Sequence, residues 1–552
     1  MQVTLDISGN QVQIRFPYDP ETVSRVKTLT SDYRKRDRCW VVTAARLEEI
    51  YAVFPEAVAS SGLNEWLKRQ RLVDSLKRYE QGEPCQPYNV LRPLLRHQKA
   101  ALDFLRCFNR CALLDPPGSG KTTTAIAWAM GKYLPVLVVC PAAVKFHWQR
   151  EIQACEPTAK PFIIQGRPNK YQIDGIPDFL AAQKWCIVNY DVLKPWIPHL
   201  PKFQALICDE SHAAKAGAKS QRGDAILQLA ERIPNTLFLT GSPALNRPSE
   251  LEAMLVALGY LSPRERFAWR VRFCDGKLIC INEKGVKYHG KKPEMRWSFK
   301  GSANVAMLAR ELDMFSVRRP FSEIMSSLPP ITHTLLELDI GDLSEHDAMK
   351  ERMETLLRSA DPKSRGEALG LLGKMISWTA TQKVPIIKDL ITERLDAGES
   401  PVVFSDFLDP LHALRAELPE RSLLLEGAMT QVQRDDVVKR FQESPTPLAF
   451  LISRRAGGTG LDGLQHKART ALFASLPWNP SSHAQAWARV AREGQKQPVE
   501  VITTLARGTV EEAMLRIIYE KAKVVDILCS SPSLSAEAKS QWEATLNLIG
   551  GL

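Results

Sequence analysis

The stretch Leu113–Ile126, LLDPPGSGKTTTAI, decides how the rest of the chain is read. An apolar run stops at a glycine-rich turn, and a helix-forming run follows. Phosphate binding at such a turn needs backbone N–H groups pointing inward, which Gly118 and Gly120 permit, with the positive end of a helix behind them. Lys121 would then reach the outer phosphates of a nucleotide, and the Thr122 hydroxyl would ligate Mg2+. Asp115 occupies the position where the common pattern has its first glycine. An incidental turn is the competing reading of these few residues.

The complement of such a turn stands further along. ALICDESH, Ala205–His212, ends an apolar run on two carboxylates. Asp209 is expected to hold the magnesium, and Glu210 to orient and deprotonate an attacking water. Taken alone, Asp-Glu after a strand is a common helix start; the glycine-rich turn is what favours the catalytic reading. LTGSP follows the next apolar run, and Thr240, Gly241 and Ser242 are expected to sense the γ-phosphate and relay its loss.

Outward from these motifs, short apolar runs alternate with helical patterns over residues 91–258: CALLD, VLVVCP, WCIVNY, ALICDE and TLFLTG. That rhythm predicts a parallel sheet wrapped by helices. Residues 259–330 lose it and are rich in Arg, Lys and aromatics, and a polar helical stretch covers about 342–396. Runs of the same kind return in PVVFSD, SLLLEG, LAFLIS, TALFAS and VEVITT, predicting a second parallel sheet. At the start, Val3, Leu5 and Ile7, then Val12, Ile14 and Phe16, alternate across SGN as a hairpin. Asp19 caps a helix opened by Pro20, a basic tip YRKRDR follows, and CWVV leads to a second helix.

Near the other end, QAWARVAREGQ, Gln485–Gln495, carries Arg489 and Arg492 three residues apart. On a helix they would share one face. They form either a solvated basic face or two guanidinium groups aimed at one target. An arginine supplied from outside the phosphate-binding domain can add about 10³–10⁵ to the rate of phosphoryl transfer.

The 552 residues exceed one hydrophobic core, so at least two large domains are expected. A net charge of +11 suits an anionic partner, with nucleic acid the commonest. The 11 cysteines include no CxxC pair, which argues for a reducing compartment over a disulfide framework. Cys274, Cys280 and His289 read as a partial zinc set or as incidental residues. No apolar run approaches a membrane span and the start is polar and alternating, so a soluble, cytoplasmic protein is expected.

In this order the motifs over 91–525 resemble the Swi/Snf-type ATPases of helicase superfamily 2. DPPGSGKT matches a block that itself begins with Asp. VVCPAAVKFHWQREI, LTGSPALNRPSEL, SVRRPFSEIMSSLPP, LLLEGAMTQVQRDDVVKRFQ, LISRRAGGTGLDGL and WNPSSHAQAWARVAREGQ are similar to later blocks. RFCDGK, GSANVAML, ATQKVPIIKDLI and GTVEEAMLRIIYEKAKVVDIL resemble the HARP-type annealing helicase branch, and RFPYDPETVSRVKTL with DRCWVV resembles its accessory module. Two departures stand out: Arg96 and His97 replace the usual proline and aromatic beside Gln98, and Pro116 and Pro117 lie in the phosphate turn.

The resemblance implies an α/β fold of two tandem RecA-like, doubly wound parallel-sheet lobes with helical insertions and a small N-terminal α/β module. Residues 1–60 would be that module, 61–90 a linker, 91–258 the ATP-binding lobe and 259–330 its basic insertion. A connector with a helical protrusion would span 331–396, the second lobe 397–510 and C-terminal helices 511–552. It further implies ATP and Mg2+ as cofactors, with Gln98, Asp115, Gly118, Ser119, Gly120, Lys121, Thr122 and Thr123 at the nucleotide and Thr122 and Asp209 at the metal. Glu210, Arg489 and Arg492 would be catalytic, Thr240, Gly241, Ser242, Gly460 and Gln485 would couple the lobes, and Lys145, Trp148, Ser453, Arg455 and Trp478 would contact DNA.

The implied activity is ATP-driven translocation on double-stranded or branched DNA by a monomer, with remodelling or reannealing of forks. A strand-separating helicase and an ATP-gated remodeller of a protein such as RNA polymerase are the alternatives. A bacterial or phage source is expected from a chain shorter than typical eukaryotic members.

Overall fold

The computed structural model describes residues 2–529 except 9–10, 31, 68–89, 131–132, 169–175, 245, 281–294, 325–327, 359–361, 455–460 and 462. The chain divides into two compact units, Met1–Pro116 with Gly120–Pro320, and Phe321–Asp526.

The first unit begins with a five-stranded sheet of β1 (Thr4–Ser8), β2 (Gln11–Arg15), β3 (Tyr33–Arg34), β4 (Cys39–Thr43) and β5 (Val58–Ala59), in the order β3-β4-β2-β1-β5. β1 and β2 form the hairpin that their alternation predicts, Leu5 opposite Ile14 and Ile7 opposite Val12. Leu5, Val12 and Ile14 point inward, with Val26 of helix Pro20–Lys27 packed against them. That helix starts where Asp19 accepts the Thr22 N–H at 2.8 Å, satisfying one of the unpaired donors of its first turn. The YRKRDR tip turns the chain between β3 and β4, with Arg38 at φ 47.

The main sheet of this unit contains β6 (Arg110–Leu113), β7 (Val136–Cys140), β8 (Phe162–Ile163), β9 (Trp185–Asn189), β10 (Ala205–Asp209) and β11 (Asn235–Leu239). A separate antiparallel hairpin, β12 (Lys277–Cys280) and β13 (Met295–Ser298), stands apart, and β14 (Ser316–Val317) returns to the main sheet. The order is β14-β6-β11-β10-β7-β9-β8, every pair parallel. Helices cover both faces, which is why β7 and β9 read as continuous apolar runs and are buried throughout.

The second unit is built on β15 (Ile331–Leu338), β16 (Val402–Ser405), β17 (Ser422–Leu425), β18 (Ala449–Ser453), β19 (Thr470–Phe473) and β20 (Val499–Ala506). Their order is β15-β20-β19-β16-β18-β17, again all parallel. β15 differs from the sequence expectation of a connector at 331–396. ITHTLLEL lies on a sheet edge, where most of its side chains are only half-buried, so it lacks the apolar run that marks the other strands. Three helices, Ser344–Arg358, Pro362–Gln382 and Val384–Asp396, follow it. Lys383 and Glu511 are both fully buried, with Nζ 2.8 Å from Oε1. The ammonium also donates to the Thr504 carbonyl and hydroxyl, and Glu511 accepts the Ala506 N–H, so the pair is enclosed and fully hydrogen-bonded.

Candidate active site

The phosphate turn, the carboxylate pair and the Thr240 turn leave the sheet from β6, β10 and β11. β11 lies between the other two, so all three turns emerge side by side at one edge of the sheet. In open parallel sheets this C-terminal edge is where ligands bind.

Gly118 and Gly120 have φ of 84° and 74°, the left-handed region that a side chain resists. A Cβ on Gly120 would lie 2.1 Å from Gln98 Nε2, so alanine here would displace that amide as well as strain the backbone. Helix Lys121–Ala129 starts there, and its N-terminal N–H groups face the turn. Lys121 Nζ donates to the Asp115 and Pro116 carbonyls at 2.9 and 3.0 Å, which holds the ammonium inside the loop. Thr122 is half-buried in the first turn of the helix, and Ser119 is buried in the loop.

Two of the expected nucleotide contacts have other occupations. Asp115 is only 2% exposed, and its carboxylate receives the Arg319 backbone N–H, Nε and Nη2. Arg319 Nη1 also donates to the His97 carbonyl at 2.9 Å. Asp115 is therefore corrected from a nucleotide contact to the anchor that holds the turn against β14 and the Gln98 helix. The buried Thr123 hydroxyl donates to Glu151 at 3.4 Å, tying two helices together. Gln98 accepts the Leu95 N–H at 2.8 Å and donates to the Gly120 carbonyl at 3.3 Å, so its amide braces the turn.

At the end of β10, Asp209 accepts Trp148 Nε1–H at 2.8 Å and the Glu210 N–H at 3.0 Å. Burial first, and the Glu210 carboxylate second, push the Asp209 carboxyl up to about 6; the Trp148 donor and Lys121 pull the other way. A divalent cation removes such a penalty directly. The Asp209 carboxylate and the Thr122 hydroxyl are oxygen donors of the kind Mg2+ takes, so this donor set fits that metal. Glu210 itself sits at φ 48, ψ 51, a left-handed conformation costing about 1–3 kcal/mol for a residue with a Cβ.

His212, passed over in the sequence, completes the carboxylate's surroundings. Its Nδ1 lies 3.2 Å from Glu210 Oε2 and 3.2 Å from Thr240 Oγ1. The Thr240 hydroxyl is 3.5 Å from Glu210 Oε2 and accepts the Ser242 N–H at 3.1 Å. Thr240 and Ser242 are buried, and Gly241 between them is half-buried. A continuous set of hydrogen bonds thus joins Glu210 to the turn after β11. The signal for His212 was in DESH, two residues beyond Glu210.

In the second unit, Asn479 caps helix Pro480–Trp487 by accepting the Ser482 N–H at 2.8 Å. The helix ends at Trp487, so Gln485 is helical and half-buried, but Arg489 and Arg492 are not on a shared helical face. They lie on the turns that follow, a correction to the sequence reading. Buried Gln495 holds those turns by donating to the Ala468 and Val490 carbonyls at 2.8 and 3.3 Å. Arg489 Nη1 donates to the Leu461 carbonyl at 3.2 Å.

The expected nucleic-acid contacts divide. Trp148 is fully buried with its N–H on Asp209, and Ser453 is 4% exposed at the end of β18; neither side chain offers a surface to DNA, and both are corrected to interior roles. Lys145 is half-buried at the start of helix Lys145–Cys155, and Trp478 is 44% exposed. Arg455 and Gly460 lie outside the described residues, as does His289 of the partial zinc set. No group of three or more His, Cys, Asp or Glu residues placed to hold a metal ion occurs among the described residues, and no described helix is long and apolar enough to cross a membrane.

A family model of the SNF2-related domain matches residues 38–363, and one of the helicase conserved C-terminal domain matches residues 382–494. The mouse protein "DNA annealing helicase and endonuclease ZRANB3" is 29% identical over 456 residues, covering 79% of this chain; the chain spans 41% of that protein. A Caenorhabditis elegans protein described as a homolog of "SWI/SNF-related matrix-associated actin-dependent regulator of chromatin subfamily A-like protein 1" is 25% identical over 555 residues, covering 95% of this chain and 75% of its own length. The solved "Sulfolobus solfataricus SWI2/SNF2 ATPase core in complex with dsDNA" aligns with 83% of this chain and 99% of its own, at 21% identity and a TM-score of 0.38. The two curated relatives are eukaryotic, and they give no support to a bacterial or phage origin.

Proposed function

The chain belongs to the SNF2-related family, and on that premise we propose that it is a DNA-dependent ATPase that translocates on double-stranded DNA and remodels or reanneals branched DNA. The observation that carries the hydrolytic part is the hydrogen-bonded set Glu210–His212–Thr240 beside the Gly118–Lys121 turn. The mouse relative named as a DNA annealing helicase supports the DNA part.

In this reading the backbone of Gly118–Gly120 and the Lys121 ammonium bind the ATP phosphates, while Thr122 and Asp209 hold Mg2+. The metal supplies charge neutralisation and a fixed geometry for the triphosphate. Glu210 orients a water in line with the γ-phosphate and takes its proton. His212 fixes the Glu210 carboxylate, and loss of the γ-phosphate reaches the β11 turn through Thr240. Arg489 and Arg492 neutralise charge that develops on the transferred phosphoryl group. Tracking along duplex without regard to sequence would rest on phosphate contacts, to which Lys145 and Trp478 are candidates. The protein would work as a monomer on cytoplasmic or nucleoid DNA.

The test is ATPase activity of the full chain with no DNA and with single-stranded, duplex and forked DNA, beside triplex displacement. Duplex stimulation with ATP-dependent triplex displacement is expected, and Glu210→Gln should abolish turnover while preserving ATP binding. A Glu210→Gln protein with the parent rate ends the assignment of the base; lack of stimulation by every DNA ends the motor reading.

A further inference from the structure

The β12–β13 hairpin of the first unit exposes an apolar face with no role in the nucleotide site. Leu278 pairs across from Trp297, and the two are 50% and 41% exposed. Phe267, on the neighbouring helix Arg266–Phe273, is 51% exposed. Three rings form one cluster: Phe267 meets Trp297 edge-on at 5.3 Å and Phe299 edge-on at 5.8 Å, while Trp297 and Phe299 lie 6° from parallel at 6.1 Å. Large exposed rings gathered in one place on a soluble protein mark a contact surface.

One of these rings, Phe299, lines a groove of about 300 Å³ whose charge is one-sided. Lys215, Lys219, Arg266, Arg270 and Lys300 line it against a single carboxylate, Glu252, which Arg266 and Arg270 clasp. Phe299 belongs to both the groove and the ring cluster, and Arg270 lies 5.8 Å from its centroid. Lys215 is neutralised by Glu250 at 2.9 Å. Lys219 and Lys300 make no ion pair among the described residues.

Exposed rings beside surplus cations match a ligand with flat apolar faces strung on an anionic backbone. Duplex DNA keeps its base faces stacked inside, so it offers the phosphates but not the faces. We propose that this surface is a binding site for single-stranded DNA, with Trp297 and Phe267 stacking on unpaired bases and Lys219 and Lys300 holding the phosphates. The site rests on the DNA reading above and sharpens it: the unpaired strand of a branch is bound on the first unit. A partner protein seated on the apolar face would not need the cationic groove, and the two alternatives separate experimentally.

The experiment measures fluorescence anisotropy of the full chain with a labelled oligothymidine of about 20 nucleotides and with a blunt duplex of similar length, alongside duplex-stimulated ATPase. The parent should bind the oligothymidine. Phe267→Ala with Trp297→Ala, and separately Lys219→Glu with Lys300→Glu, should each weaken that binding by about tenfold or more, with duplex-stimulated turnover unchanged. Trp297→Phe keeps a stacking ring and should bind within about threefold of the parent. Absence of oligothymidine binding by the parent, binding by both double variants at parental strength, or an equal loss on duplex overturns the proposal. If oligothymidine binding follows the expected pattern but duplex fails to stimulate the parent's ATPase, the single-strand site stands and the translocase reading falls.

Discussion

Arg319 and Asp115 form a buried ion pair in which the guanidinium and its own backbone N–H close on one carboxylate, 204 residues away in sequence. The two residues are 6% and 2% exposed, so neither charge has recourse to water. The pair ties the phosphate turn to the strand β14 on the sheet's edge. Through the His97 carbonyl it also fixes the helix carrying Gln98. Arg319→Ala strands the Asp115 charge and should lower stability by about 3–5 kcal/mol in chemical denaturation. Adding Asp115→Asn removes the stranded charge and should recover part of that loss, while ATP affinity stays reduced because the turn is no longer braced.

His212→Ala should lower kcat by on the order of 10–100-fold, because Glu210 loses the group that orients it. ATP affinity, read by a fluorescent nucleotide analogue, should remain near the parent value. His212→Asn keeps a polar side chain near Nδ1 and should recover part of the rate. A drop in ATP affinity equal to the drop in kcat would mean that His212 supports binding rather than the Glu210 carboxylate.

Arg489→Ala with Arg492→Ala should reduce DNA-stimulated turnover by about 10³-fold or more, with ATP and DNA binding retained. Gln495→Ala acts on the same turns indirectly, since its amide holds the Ala468 and Val490 carbonyls. It should therefore lower turnover less than the double arginine change and also lower the melting temperature, a split that distinguishes a supporting residue from a catalytic one.

Lys383→Met alone should cost about 3–5 kcal/mol, since it leaves Glu511 without its partner in a fully buried site. Burial lowers the Lys383 pKa, and the Glu511 carboxylate beside it opposes that shift in part. Lys383→Met with Glu511→Gln retains an acceptor for the Ala506 N–H and removes both charges. That double variant should regain most of the lost stability, as measured by denaturation midpoints.

Glu311 gives a pH dependence. Burial pushes its carboxyl up to about 7 from an ordinary 4.5; Glu49 and Glu265 add to the rise, and Arg272 and Arg46 oppose it. The folded protein therefore keeps a proton that the unfolded chain releases between those two values. The resulting stability is present in full below about 4.5 and is lost as pH rises through about 7, a change on the order of 3 kcal/mol. Glu311→Gln removes the titrating group, so its stability relative to the parent should be higher at pH about 8 than at pH about 5. An unfolding free-energy difference between the two proteins that does not vary with pH would refute the assignment.

Much of the architecture was legible because it is local. The apolar runs of β6, β7, β9, β10 and β11 are buried on both faces, so burial itself writes them into the sequence as unbroken hydrophobic stretches. β15 escaped because an edge strand with half-buried side chains carries no such run. Gly118 and Gly120 announce the phosphate turn by a conformation that other residues resist, and Asp209 and Glu210 follow their strand directly.

The sequence by itself determined the two parallel sheets and the identity of the turn and carboxylates that serve them, since each is dictated by a short stretch of neighbouring residues. Tertiary structure alone decided what those side chains touch. Asp115 meets Arg319 across 204 residues, Trp148 turns inward to Asp209, and the helix before Arg489 stops at Trp487. Each outcome depends on which distant group arrives to satisfy a buried charge or donor, and that choice is made by packing rather than by any local pattern.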